Sequence, residues 1–220
     1  MKKLIYLTIY ISLFIQLITG ILSFSGLFIK INKEDFALKE ILGLELIVQV
    51  IEAIFYIWII FALNNIQNMT PRRYIDWMIT TPMMLLSTMV FMKFNQDKNT
   101  TLKSFINNNK LEVILVFLFN GLMLLFGYLG ETNIINKYYS ITIGFIFFFL
   151  NFRLIYENYA KYTKDGVNLF VFLIICWSLY GISAMLPIKI KNICYNLLDI
   201  ISKNFYGLFI FYHILKVRKS

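Results

Sequence analysis

The chain has 220 residues, 59% of them hydrophobic and 15% charged, with a mean hydropathy of +0.70. Soluble domains sit near about 45–50% apolar, so the composition excludes an ordinary soluble fold, and residues 1–220 are expected to form one polytopic membrane domain. The formal charge of +9 lacks the hydrophilic body of a nucleic-acid binder, so no nucleic-acid partner is expected and the lysines read as loop-end charges in a bilayer. About 20 apolar residues cross a hydrocarbon core. Runs between polar punctuation give seven such spans: Leu4–Ile29, Leu38–Leu63, Pro71–Met92, Leu111–Leu129, Ile134–Tyr156, Val167–Leu186 and Ile190–Leu215. The breaks read INKEDF, NNIQNM, NQDKNTT, INNNK, GETN, KYTKDG and PIKIKN. Lys2 and Lys3 precede a run too long for a signal-peptide core and without a small-residue cleavage site, so that run is kept as a helix.

Lysines and arginines near the span ends fix an expected direction. An extracellular N-terminus places Lys30, Lys33, Lys39, Lys93, Lys98, Lys103, Lys110, Arg153, Lys161, Lys164, Lys216, Arg218 and Lys219 in the cytoplasm. Lys2, Lys3, Arg72, Arg73, Lys137, Lys189 and Lys191 then lie outside, a bias of roughly two to one. Cys176 and Cys194 fall in apolar runs, and His213 is the sole histidine, so neither a disulfide nor a metal framework is expected. Nothing in this set makes a catalytic constellation, and the chain does not read as an enzyme.

The informative residues are charges inside the spans. Arg73 and Asp76 open the third run, and the seventh carries Lys203 with Asp199 one turn earlier on the same face. An intramembrane lysine needs an anionic partner, a neutral state or a covalent role. Lysine amines form Schiff bases with carbonyl compounds, and a protonated one in low dielectric requires carboxylate counterions such as Asp76 and Asp199. Arg73, one turn from Asp76, would keep both ionised. A buried salt-bridge network that only fixes helix packing is the competing reading.

RYIDWMITTP at 73–82 resembles the third-helix signature of microbial rhodopsins, RYxDWxxTTP, at each defining position. DIISK at 199–203 resembles their seventh-helix DxxxK, WSLY at 177–180 their sixth-helix WxxY, and NGLMLLFGYLG at 120–130 the fourth-helix segment lining the polyene. The resemblance covers all seven spans and implies an all-α, seven-transmembrane-helix bundle carrying all-trans retinal on Lys203. It implies Asp76 as proton acceptor and primary counterion, Asp199 as second counterion, Arg73 as the gate on the outer side, and Thr80 hydrogen-bonded to Asp76. Trp77 and Trp177 would sandwich the chromophore, with Tyr180, Thr81, Met84, Met123, Gly127 and Gly144 completing the pocket. Pro82 removes a helix hydrogen bond below the chromophore. Gly181 stands where bacteriorhodopsin-like proteins have proline and Ala184 where they have tryptophan, which loosens the ring end of the pocket. Many relatives form homo-oligomers.

A proton pump also needs a cytoplasmic donor to reprotonate the lysine. Eleven residues after Asp76 that position is Ser87, which cannot donate at neutral pH. Polar stripes at helical spacing point elsewhere: Thr8, Ser12, Gln16, Thr19 and Ser23 on the first span, and Glu45, Gln49, Glu52 and Tyr56 on the second. The seventh adds Asn192, Asn196, Asp199 and Lys203, with Asn204 just beyond. Such stripes can enclose a hydrated path whose oxygens replace part of a cation's water shell. Alternatively, serines and threonines bond their own helix carbonyls, and the amides hold helices together. With the N-terminus outside, Ser12, Gln16, Asn192 and Asn196 fall in the outer half, Glu52 near the middle, and Glu45, Ser87 and Asn204 towards the cytoplasm. Closed gates are expected at the Asp76–Asp199–Lys203 cluster and at Glu45. The Asp76–Thr80–Ser87 triplet with second-span glutamates is also similar to the group 1 viral rhodopsins of large algal viruses, which implies a light-gated channel for sodium and potassium. An outward proton pump and a photosensor without transport are the alternatives.

Overall fold

The computed structural model describes residues 2–61 and 69–218. The predicted end of the second span at Leu63, the NNIQN part of the following break and Lys219 lie outside the described residues. The chain folds into α1 (Lys2–Gly26), α2 (Phe36–Phe61), α3 (Met69–Gln96), α4 (Leu102–Asn108), α5 (Lys110–Glu131), α6 (Lys137–Asn158), α7 (Lys164–Ala184), α8 (Ile188–Asp199) and α9 (Phe205–Lys216). Among the described residues, six of these helices are long and apolar enough to cross a membrane. The seventh crossing is α8 and α9 joined through a π-helical turn at Ile200–Asn204, with Lys203 inside that turn. A π-turn widens the helix by one residue and marks functional sites in many helices.

Consecutive spans pack as neighbours, and α1 closes the bundle against α8 and α9 while α3 meets α5 and α7. α3 sits innermost, and it passes through Pro82 without ending. The packing is inside out relative to a soluble protein. Phe61 is 82% exposed and Ile21 70%, whereas none of Ser12, Gln16, Glu45, Gln49, Glu52, Ser87, Asn192, Asn196 and Asn204 exceeds 2%. That distribution suits lipid outside and polar groups satisfying one another inside.

The connections follow local chemistry. Asn133 takes a left-handed backbone (φ 59°), which asparagine tolerates, and it turns α5 into α6 at the GETN break. The chain forms α4 across the four residues left unassigned after NQDKNTT and on into INNNK, so the first three residues of that expected break are helical. Its cap was legible: Thr101 accepts from Ser104 N while Ser104 accepts from Thr101 N, a reciprocal capping box. Buried Phe105 anchors α4 against Tyr159 with ring centroids 5.3 Å apart.

Candidate functional site

Three helices bring ionisable groups to one point inside the bundle. The π-turn presents Lys203, whose Nζ donates to Asp76 Oδ2 of α3 at 2.7 Å. Glu52 Oε1 of α2 lies 3.4 Å from the same nitrogen and Asp199 Oδ1 of α8 lies 3.9 Å away. Both Glu52 oxygens and Asp76 Oδ1 are buried without a hydrogen-bond partner. The sequence placed Glu52 near mid-depth, and the structure makes it a third carboxyl at the lysine.

Arg73, fully buried, pairs with Asp199 Oδ2 at 2.9 Å rather than with Asp76. It also donates to Asn192 Oδ1 at 3.4 Å and to Asn196 Oδ1. Asp199 accepts further bonds from Tyr56 and Tyr180, each at 2.7 Å. Thr80 is hydrogen-bonded to Asp76 through the backbone: its hydroxyl donates to the Asp76 carbonyl at 2.9 Å. A carbonyl one turn back is the nearest acceptor for a helical threonine, and it takes the proton first.

An apolar cavity with about 790 Å³ of empty space, including its mouth, reaches Lys203. Trp77, Trp177, Tyr180, Thr81, Met84, Met123, Gly127 and Gly144 all line it. Tyr74, Leu124, Ile141, Phe145, Phe148 and Tyr195 line it too and escaped the sequence reading. Trp77 is held edge-on by Tyr74, Tyr180 and Tyr195 at 5.1–5.5 Å between centroids. At Gly181 a Cβ would lie 2.5 Å from Phe145 Cζ, so the phenyl ring occupies the space that the sixth span leaves bare. Ala184 borders the same end of the cavity. At Gly127 a Cβ would come within 2.8 Å of the Tyr74 hydroxyl.

The polar stripes meet each other across helices. Towards the α1 start, Ser12 donates to the Asn196 carbonyl at 2.9 Å, Asn196 to Thr8 at 2.8 Å and Asn192 to Thr70 at 3.2 Å. Past the lysine, Gln16 donates to the Gln49 carbonyl at 2.9 Å and Thr19 to Asn204 Oδ1 at 2.5 Å. Farther along, Ser87 donates to Glu45 and lies 3.4 Å from the Tyr206 hydroxyl. Own-helix bonding also occurs, from Thr8 to the Ile5 carbonyl and from Thr19 to those of Ile15 and Gln16. The alternative reading therefore holds in part for the threonines and for Ser87, which also donates to the Met84 carbonyl at 2.9 Å, and the amides do join helices; Ser12 alone departs from it among these serines and threonines. Tyr206 sat inside an aromatic run, GLFIFY and its neighbours, and gave no signal of its own.

One pair carried no signal in the sequence. Lys191, counted there as a loop-end charge on the outer side, is 4% exposed and grips Glu131 at 2.6 and 2.8 Å, tying the end of α5 to the start of α8. Only the fold reveals the partner.

The chain superposes on the viral rhodopsin OLPVRII with a TM-score of 0.88 at 28% identity, covering 98% of this chain and 100% of that one. It superposes on a blue light-absorbing proteorhodopsin from Med12 with a TM-score of 0.76 at 18% identity, covering 96% and 97%. For the bromide-bound halorhodopsin of Halobacterium salinarum the values are 0.75, 13%, 97% and 94%. No curated protein matches the chain in sequence. The family model for bacteriorhodopsin-like proteins matches residues 7–217, and with a lysine in a π-turn, carboxyls around it and an aromatic cavity beside it, the chain belongs to that family of integral, multi-pass membrane proteins.

Proposed function

We propose that the protein is a retinal-binding photoreceptor acting as a light-gated cation channel for sodium and potassium. The observation that carries the reading is a series of buried polar side chains on α1, α2, α3, α8 and the π-turn, with Lys203 at its middle. The residues fit a retinal: a cavity lined by Trp77, Trp177, Tyr180 and other apolar groups leads to one buried primary amine with carboxyls beside it. Lys203 would hold all-trans retinal, whose contribution when bound is absorption of visible light and isomerisation. Trp77 and Trp177 confine the polyene, and Gly127 and Gly144 leave room beside Met123. Asp76 and Asp199 balance the charge at Lys203, and Asp76 Oδ1 is free to take a proton. Arg73 closes the path on the side of the α1 start by occupying Asp199, Asn192 and Asn196. With the N-terminus extracellular and the C-terminus cytoplasmic, Glu45 and Ser87 form the cytoplasmic closure.

An outward proton pump is the second reading, and one observation favours it. Glu45 is a fully buried carboxyl bonded to Ser87, so it stands in place of the donor that Ser87 lacks. Whole-cell photocurrents in retinal-supplied cells separate the two. Under asymmetric sodium and potassium, a current whose sign reverses at a potential tracking those gradients supports the channel. A current outward at every voltage refutes it in favour of the pump.

A further inference from the structure

We propose that Gln49 is the highest of the barriers in series along the conducting route, above those at Arg73 and at Glu45–Ser87, and that Gly207 is the slot that lets it close. The inference rests on the channel reading above. On α2, Gln49 stands between Glu45 and Glu52, about one turn from each, so it separates the lysine cluster from the Glu45–Ser87 closure. The side chains bonded to it are neutral: Gln16 of α1 donates to its backbone carbonyl and Ser23 of α1 accepts from its carboxamide, while Thr19, between them on α1, bonds Asn204 of the π-turn.

Gln49 is 2% exposed, and its Nε2 donates to Ser23 Oγ at 3.3 Å. A Cβ placed on Gly207 would collide with that nitrogen and lie 3.7 Å from Ser23 Oγ. On the other side, a Cβ on Gly20 would sit 3.6 Å from Gln49 Oε1. The carboxamide thus reaches from α2 across α1 to the bare backbone of α9, and it spans the gap only because α9 has no side chain there. One long hydrogen bond, to Ser23 of α1, holds it, so a small displacement of α1 from α2 releases it. Oε1 of Gln49 and Oε1 of Gln16 are both buried without a partner. Two neutral acceptor oxygens suit a partly dehydrated monovalent cation better than a divalent one, which calls for carboxylate ligands.

The test records dark and light currents from wild type, Q49A, G207A and the double variant, each with visible absorption as the sign of a folded pigment. Q49A and G207A are each expected to raise dark cation conductance about tenfold, equivalent to about 1.4 kcal/mol of barrier. The double variant is expected to exceed neither, because both changes open one contact. Unchanged dark conductance in an absorbing Q49A, or multiplied effects in the double variant, overturns the inference. Should G207A lose its pigment, Q49N, which withdraws the carboxamide by one methylene without added bulk, is expected to leak likewise, and a tight Q49N overturns it. A wild-type current that never reverses overturns the channel reading and this inference together. A reversing wild type with tight variants overturns this inference alone.

Discussion

Replacing Lys203 by methionine tests the central cluster without light or chromophore. The substitution keeps the volume and removes the only cation touching Asp76 and Glu52 among the described residues, leaving Arg73 to serve Asp199 alone. At an effective dielectric of about 20, a charge pair at the 2.7 Å of Lys203–Asp76 is worth roughly 6 kcal/mol. Desolvation offsets much of this, and stranding a buried charge costs about 3–5 kcal/mol net. For a chain of this size that amounts to roughly 6–20 °C in melting midpoint. Adding D76N to K203M removes one stranded carboxylate and is expected to restore about 2–3 kcal/mol, so the two changes couple strongly. The assay is thermal unfolding of retinal-free protein in detergent, followed by helical circular dichroism, for wild type, both single variants and the double. A K203M midpoint within a degree or two of wild type refutes the cluster, as does simple addition of the single losses in the double variant.

E45Q and E52Q are each expected to alter the sodium-to-potassium permeability ratio about two- to fivefold, the effect of about 0.4–1 kcal/mol, read as a shifted reversal potential. If both leave the reversal potential and current untouched, the pathway runs elsewhere. G181L drives a side chain into Phe145, so visible absorbance per unit of protein is expected to fall severalfold while helicity persists; full pigment yield contradicts the assigned ring end of the cavity. K191M leaves the part-buried Glu131 without this partner and is expected to lower the melting midpoint by the equivalent of about 1–3 kcal/mol. K191M/E131Q is expected to melt near wild type, and a double variant as weak as the single means that the pair is not what joins α5 to α8.

Legibility in the sequence followed cost. Arg73, Asp76, Asp199 and Lys203 were readable because a charge inside an apolar run demands a partner, and the fold puts those partners within reach of one another. The stripes on the first, second and seventh spans were readable from 3.6-residue spacing, and their members do meet across helices. Pairing within the cluster was not readable. Arg73 and Asp76 lie one turn apart, yet the guanidinium turns to Asp199, because Tyr56, Tyr180, Asn192 and Asn196 build its socket from other helices. The same limit hid Glu131–Lys191, 60 residues apart in the chain, and Phe145 beside Gly181. Spacing along one helix says which residues share a face, and it is silent on what the neighbouring helix presents.

Charge balance at Lys203 bears on the proposed selectivity. Asp76, Glu52 and Asp199 supply three carboxyls, while Lys203 and Arg73 supply two cations, all buried together. Arg73 is spent on Asp199 and Lys203 is hydrogen-bonded to Asp76, so Glu52 is the surplus, and neither of its oxygens has a hydrogen-bond partner. A surplus buried carboxyl either holds a proton or draws a cation, since leaving it bare costs several kcal/mol. In a closed bundle the proton is the cheaper solution. In the proposed channel, once the mid-path widens and water enters, a sodium or potassium ion would satisfy the same oxygens, and an anion would find nothing there to replace its water. The same carboxyl that costs stability in the closed state thereby becomes the reason for a pathway of this construction to admit cations.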